Sequence, residues 1–171
     1  MATNIEIKAR VKDLDGLVKR VEAVSDTPGV TLEQEDTFFN TPGGRLKLRV
    51  LAPDHGELIY YTRDDALGPK RSDYFISRTA EPETLKTVLA AAWGIRGVVR
   101  KQRLLYWVGN TRIHLDTVEG LGTFMELEVV LTAGQSEQQG FATATELMAR
   151  LGIADSDLVD VAYIDLLDRE G

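Results

Sequence analysis

Ile5-Glu6-Ile7-Lys8-Ala9-Arg10-Val11 carries an apolar side chain at every odd position and a charge at every even one. An alternation of period two is the pattern of a β-strand with two unlike faces. Asp13 follows as a helix cap, with Leu14, Leu17, Val18 and Val21 forming one apolar stripe, which predicts a helix from about Leu14 to Ser25. Thr27-Pro28-Gly29 ends it.

Further along the chain, strands are predicted over Glu35–Asn40, Arg45–Val50, Glu57–Arg63 and Arg71–Arg78, with Pro53-Asp54-His55-Gly56 as a hairpin turn. Val98–Gln102, Arg103–Val108, Thr111–Asp116 and Phe124–Leu131 follow, with turns at Gly109-Asn110 and Gly120-Leu121-Gly122. Helices are predicted over Glu81–Trp93, Ser136–Leu151 and Val159–Asp168. About eight short strands joined mostly by turns predict an α+β architecture: an eight-stranded antiparallel β-barrel with flanking helices, in a single domain spanning residues 1–171.

Several of these strands carry only polar or charged side chains on one face. Asn4, Glu6, Lys8 and Arg10 share a face, as do Arg45, Lys47 and Arg49. Arg112, His114 and Asp116 share another; Glu126 pairs with Glu128, and Lys101 with Arg103. Such faces are either the solvated sides of ordinary amphipathic strands or the lining of a polar barrel interior. In the second case, carboxylates would hold divalent cations while Arg and Lys gripped phosphate oxygens.

Composition narrows the chemistry. A net charge of −7 opposes a general nucleic-acid binder or docking on anionic membranes. The absence of cysteine removes thiolate ligands, and two histidines leave little for a His-rich site, so a metal would rest on carboxylates and be Mg²⁺ or Mn²⁺. The first ten residues have no apolar signal core and no segment reaches membrane-span length, so the chain reads as a cytoplasmic protein. Trp93, Tyr106 and Trp107 read as packing residues, His55 as an inert turn residue, and His114 as a hydrogen-bonded interior histidine.

The motifs Asn4-Ile5-Glu6-Ile7-Lys8, Gln34-Glu35-Asp36-Thr37-Phe38-Phe39, Gly44-Arg45-Leu46-Lys47-Leu48-Arg49 and Lys101-Gln102-Arg103 appear in order. Arg112-Ile113-His114-Leu115-Asp116, Gly120 to Glu128 and Tyr163-Ile164-Asp165-Leu166-Leu167 complete the series. Together they resemble the CYTH superfamily of triphosphate tunnel metalloenzymes, in its class IV adenylate cyclase-like branch. The superfamily also includes thiamine triphosphatases and inorganic tripolyphosphatases.

The resemblance implies a tunnel with an acidic, metal-binding side and a basic, triphosphate-binding side. It gives Glu6, Lys8, Glu126 and Glu128 catalytic roles and makes Glu6, Asp116, Glu126 and Glu128 the metal ligands. It gives Lys8, Arg45, Lys47, Arg49, Arg63, Lys101, Arg103 and Arg112 to the substrate, with Lys70 and Arg71 near the same hairpin. Tyr163 falls in a tail that closes one tunnel mouth in relatives. The implied reaction converts ATP to cyclic AMP and pyrophosphate with Mg²⁺ or Mn²⁺. The alternatives are hydrolysis of tripolyphosphate, thiamine triphosphate or a nucleoside triphosphate, and a non-catalytic or repurposed phosphate-binding tunnel. The implied partner is a small nucleoside triphosphate or polyphosphate, bound by a monomer or homodimer. Asn4 departs from the family signature, which has Glu there; it offers a neutral carbonyl oxygen in place of a charge.

Overall fold

A computed structural model of the protein describes residues 1–170. Eight strands, β1 (Ala2–Arg10), β2 (Val30–Phe39), β3 (Arg45–Ala52), β4 (His55–Arg63), β5 (Lys70–Thr79), β6 (Ile95–Val108), β7 (Thr111–Val118) and β8 (Gly122–Val130), form a closed barrel. Their order around it is β1-β5-β4-β3-β2-β6-β7-β8, with every pairing antiparallel. Helices α1 (Leu14–Glu22), α2 (Pro82–Trp93), α3 (Glu137–Arg150) and α4 (Tyr163–Glu170) flank it.

The main apolar core lies outside the barrel wall. Ile5, Ile7 and Ala9 of β1, Ile113 and Leu115 of β7, and Met125, Leu127 and Val129 of β8 pack with Leu17 and Val21 of α1 and Ala144 and Leu147 of α3. The apolar faces of β1, β7 and β8 are therefore covered by helices, and their charged faces are left to point inward. This decides between the two readings of the alternation in favour of a polar interior.

Local chemistry places the covering helices. The Asp13 carboxylate accepts from the Gly16 amide at 2.9 Å and starts α1. Ser136 and Gln139 form a reciprocal capping box at the start of α3. Gly140 lets α3 lie close against the wall, since a Cβ there would meet Ile5 Cγ1 at 2.7 Å. The β7–β8 turn uses Gly120 and Gly122, both at positive φ (81° and 98°).

Several boundaries differ from expectation. β6 is one 14-residue strand rather than two. The alternation fades from Leu104 onward because Leu105 faces the cavity mouth while Leu104 packs on the outer core. β2 begins at Val30, ahead of the predicted Glu35, because its first residues pair along the far end of that long β6. β4 begins at His55, so the hairpin turn is tighter than four residues. α1 ends at Glu22, and the Val24 and Ser25 amides close onto the Val21 carbonyl. The last helix begins at Tyr163 rather than Val159. The Val159 N–H instead donates to the Lys8 carbonyl at 2.9 Å, which holds it outside the helix.

Candidate active site

The inward faces enclose a cavity of about 400 Å³. Glu6, Lys8, Lys47, Arg49, Arg63, Lys101, Arg103, Arg112, Glu126 and Glu128 all line it, joined by Asn4, Asp36, His114 and Tyr163. Basic side chains outnumber acidic ones along this lining, although the whole chain is acidic.

On the side built by β2, β3 and β6, one carboxylate serves three cations. Asp36 accepts from Arg49 Nε and Nη2 at 2.7 and 2.8 Å, from Lys47 Nζ at 2.9 Å and from Lys101 Nζ at 3.4 Å. Burial opposes its charge, but Arg49, Lys101 and Lys47 outweigh burial and hold the carboxyl well below its usual range. Lys47 is pushed down to about 7, by burial first and then by Arg49, against the pull of Asp36.

On the opposite side, strand register stacks the acidic residues. Glu6 faces Glu128 across β1–β8, and Glu128 faces Arg112 across β7–β8. One step along, Lys8 faces Glu126, which faces His114. Glu126 takes Lys8 Nζ on Oε1 at 3.1 Å and Arg103 Nη2 on Oε2 at 2.9 Å. Glu128 takes Arg112 Nε on Oε2 at 2.8 Å, and Glu6 takes Arg63 Nη1 on Oε2 at 3.1 Å. Burial, then the neighbouring Glu128 charge, push the Glu6 carboxyl up, with Arg63 opposing. A carboxylate raised by like charges beside it is a position where a cation is worth most.

His114, Glu126 and Glu128 each place a ligand atom within 4.8 Å of the others, the spacing of a cation site. His114 was expected to be hydrogen-bonded, yet its buried Nδ1 has no hydrogen-bond partner. Burial, followed by the Arg103 charge, lowers its pKa and keeps the imidazole neutral. Arg63 is also incompletely satisfied: Nε and Nη2 are buried without partners.

Two expected site residues stand apart from the cavity. Asp116 is fully buried behind the lining, where Arg103 Nε and Nη2 grip it at 2.7 and 2.6 Å and the Tyr163 hydroxyl donates at 2.8 Å. Its carboxylate holds Arg103 in place and is not in the cation-spaced group. Arg45, at the end of β3, pairs with Asp65 and Asp165 at 2.8 Å each and lines a separate shallow pocket with Arg96. Of the neighbouring basic residues, Arg71 is turned outward toward Asp73 and Glu137.

Lys70 is buried and donates to the Ala66, Val159 and Asp160 carbonyls at 2.6, 3.3 and 3.0 Å. Lys8 Nζ donates to the Val161 carbonyl at 3.2 Å and sits 3.8 Å from the Tyr163 ring centroid. These bonds draw residues 159–163 across one end of the barrel, where Ala162 and Tyr163 line the cavity floor. At the other end, Leu32, Leu51, Ile76 and Leu105 form an apolar part of the rim, which also carries Glu57 and Arg78. His114 lies in the interior as its strand face implies, whereas the inward placement of Asp36 was not read from the sequence. Asp36 had a signal, as the lone carboxylate on the inward face beside Gln34.

A closed barrel with its charge turned inward, three glutamates gathered on one side and cations around a single aspartate on the other, defines a charged-interior barrel protein. The family profile described as "CYTH domain" matches residues 2–163, and the chain belongs to that family. Among curated relatives, "Adenylate cyclase CyaB" of Aeromonas hydrophila is 25% identical over 177 residues, covering 96% of this chain and 88% of the relative. Among solved structures, the PH1012 protein of Pyrococcus horikoshii OT3 superposes with a TM-score of 0.84 at 24% identity, covering 95% of this chain and 98% of that one. A Hippeastrum protein described as a "putative adenylyl cyclase" that reveals a dominant triphosphatase activity superposes with a TM-score of 0.70 at 16% identity, covering 99% of this chain and 96% of that one.

Proposed function

We propose that this protein is an enzyme that processes a nucleoside triphosphate inside the barrel with a divalent cation, in the manner of a class IV adenylate cyclase. The observation that carries this reading is Arg63. Its guanidinium lies in the cavity with two unpartnered nitrogens, directly beside the crowded Glu6 carboxylate. Buried guanidinium donors without acceptors, in a cavity where basic groups outnumber carboxylates, suit a ligand that is itself an anion.

The residues divide the work as follows. The apolar part of the rim, Leu32, Leu51, Ile76 and Leu105, receives the organic end of the substrate, and its presence favours a nucleotide over bare polyphosphate. Arg49, Lys47 and Lys101 draw the phosphate oxygens to their side, and Arg63, Arg103 and Arg112 hold them from the other. Glu126 and Glu128 fit a divalent cation by charge and spacing, and Glu6 lines the cavity opposite Glu128 but lies outside the cation-spaced group. When bound, that cation neutralises phosphate charge and lowers the pKa of an attacking hydroxyl or water. Lys8 fixes the Glu126 carboxylate and adds positive charge beside it.

In the cyclase reaction the ribose 3′-oxygen bonds to the α-phosphorus, the bond to the β-phosphate oxygen breaks, and pyrophosphate leaves while the hydroxyl proton goes to solvent. Hydrolysis is the second reading, favoured by the likeness to the Hippeastrum protein. There the same residues would orient water onto a phosphorus. The deciding experiment incubates purified protein with ATP, other nucleoside triphosphates, tripolyphosphate and thiamine triphosphate, each with Mg²⁺, Mn²⁺ or EDTA. Cyclic AMP with pyrophosphate is expected. Orthophosphate instead would establish the hydrolase, and no turnover on any substrate would refute both.

A further inference from the structure

Asn4 stands where the family signature has a carboxylate, and its side chain is already engaged. It is buried, and its Oδ1 accepts from the Tyr74 hydroxyl at 3.3 Å. The acidic side is thus one anionic ligand short, and what remains is largely committed: Glu126 to Lys8 and Arg103, Glu128 Oε2 to Arg112, Glu6 to Arg63.

His114 lies in the middle of this group. It is 4% exposed, and its Nδ1 has no hydrogen-bond partner. That nitrogen points between two carboxylates, 3.6 Å from Glu126 Oε2 and 3.8 Å from Glu128 Oε1. These separations are too long for hydrogen bonds. They are close to what one cation requires, since ligands at about 2.1 Å in cis positions lie roughly 3 Å apart. A buried nitrogen without a partner is costly, and a cation shared with the two carboxylates would satisfy it.

Resting on the reading that the cavity takes a divalent cation, we propose that His114 is a direct ligand to it. With Glu126 and Glu128 it forms a mixed imidazole–carboxylate site that selects Mn²⁺ over Mg²⁺. Imidazole nitrogen is a poor ligand for Mg²⁺, whereas carboxylate and imidazole together suit Mn²⁺ and later first-row ions. Position 114 thereby replaces, with a neutral and softer donor, part of what position 4 lacks.

The test is electron spin-echo spectroscopy of Mn²⁺ added to the wild-type protein, with and without tripolyphosphate, using natural-abundance and ¹⁵N-histidine-labelled samples. Calorimetry of Mn²⁺ and Mg²⁺ runs alongside on wild type, His114→Gln and Glu128→Gln, each checked for folding by circular dichroism. The expected result is nitrogen modulation from a coordinated imidazole that changes with the isotope. In His114→Gln that modulation should vanish, and Mn²⁺ affinity should fall at least about tenfold, the loss already typical of disturbing a partner of a metal ligand. Mg²⁺ affinity should change much less. Mn²⁺ that binds and is weakened by Glu128→Gln, but shows no nitrogen modulation, would overturn the role of His114 and leave the metal-dependent reading intact. An absence of Mn²⁺ binding under both conditions would overturn the two together. The isotope comparison on wild type stands without any variant, so a variant that fails to fold cannot shelter the proposal.

Discussion

The two sides of the cavity solve opposite problems with unequal means. On the β2–β3–β6 side a single carboxylate, Asp36, is shared by Arg49, Lys47 and Lys101, leaving a surplus of positive charge. On the β1–β7–β8 side Glu6, Glu126 and Glu128 each already hold a guanidinium or ammonium group, and only a neutral histidine lies free between two of them. The basic side is held together by one internal anion, which a phosphate group could replace. The acidic side is held together by internal cations, which a metal ion must compete with or join. On the proposed function, binding of a polyanion and a cation together would be favoured over either alone.

The comparison breaks most visibly if its keystone is removed. Asp36→Ala leaves three buried cations facing one another and should cost about 3 to 5 kcal/mol of stability, measured by denaturant unfolding; unchanged stability would mean that the basic side does not depend on Asp36. Next in size, Glu126→Ala should lower turnover about 10²- to 10³-fold, the usual loss when one preorganised electrostatic group leaves an active site. Steady-state kinetics with Mn²⁺ would measure it. Arg63→Ala removes the guanidinium with spare donors and should raise KM about 10- to 100-fold with a smaller change in kcat, from the worth of a charged hydrogen bond. An effect on kcat alone would place Arg63 in the chemical step instead.

The smallest expected effect is on pH. Lys47 titrates at about 7 among Asp36, Arg49 and Lys101. It is charged below that value and neutral above it, so tripolyphosphate affinity in EDTA should fall as pH rises through neutrality. Calorimetry at about pH 6 and about pH 8.5 reads the change, and Lys47→Arg should flatten it because arginine keeps its charge.

The sequence made the barrel legible because period-two alternation and turn residues are local signals. It also made the inward lysines, arginines and glutamates legible, since each follows from strand phase once the interior is known to be polar. Strand phase could not separate Asp116 from Glu126. Both lie on inward faces, yet Asp116 sits beyond the lining, covered by Tyr163, a contact spanning 47 residues of sequence. Arg45 misled for a related reason: it shares the face of Lys47 and Arg49, but lies at the strand end where Asp165 of the tail captures it. Long-range closure by the tail decided both cases. The final helix was drawn too long at its start for the same reason: Val159 is bound to Lys8, a residue far from it in the chain.

The tail that crosses the barrel also limits what the cavity can admit. Lys8 and Lys70 spend their donors on its carbonyls, so one end is a floor. On the proposed function, a chain of phosphates would enter from the rimmed end and stop at that floor. The barrel would then work as a depth gauge: the number of phosphoryl groups between floor and rim would determine which phosphorus lies beside the acidic residues. A substrate of the wrong length would bind and still present the wrong bond.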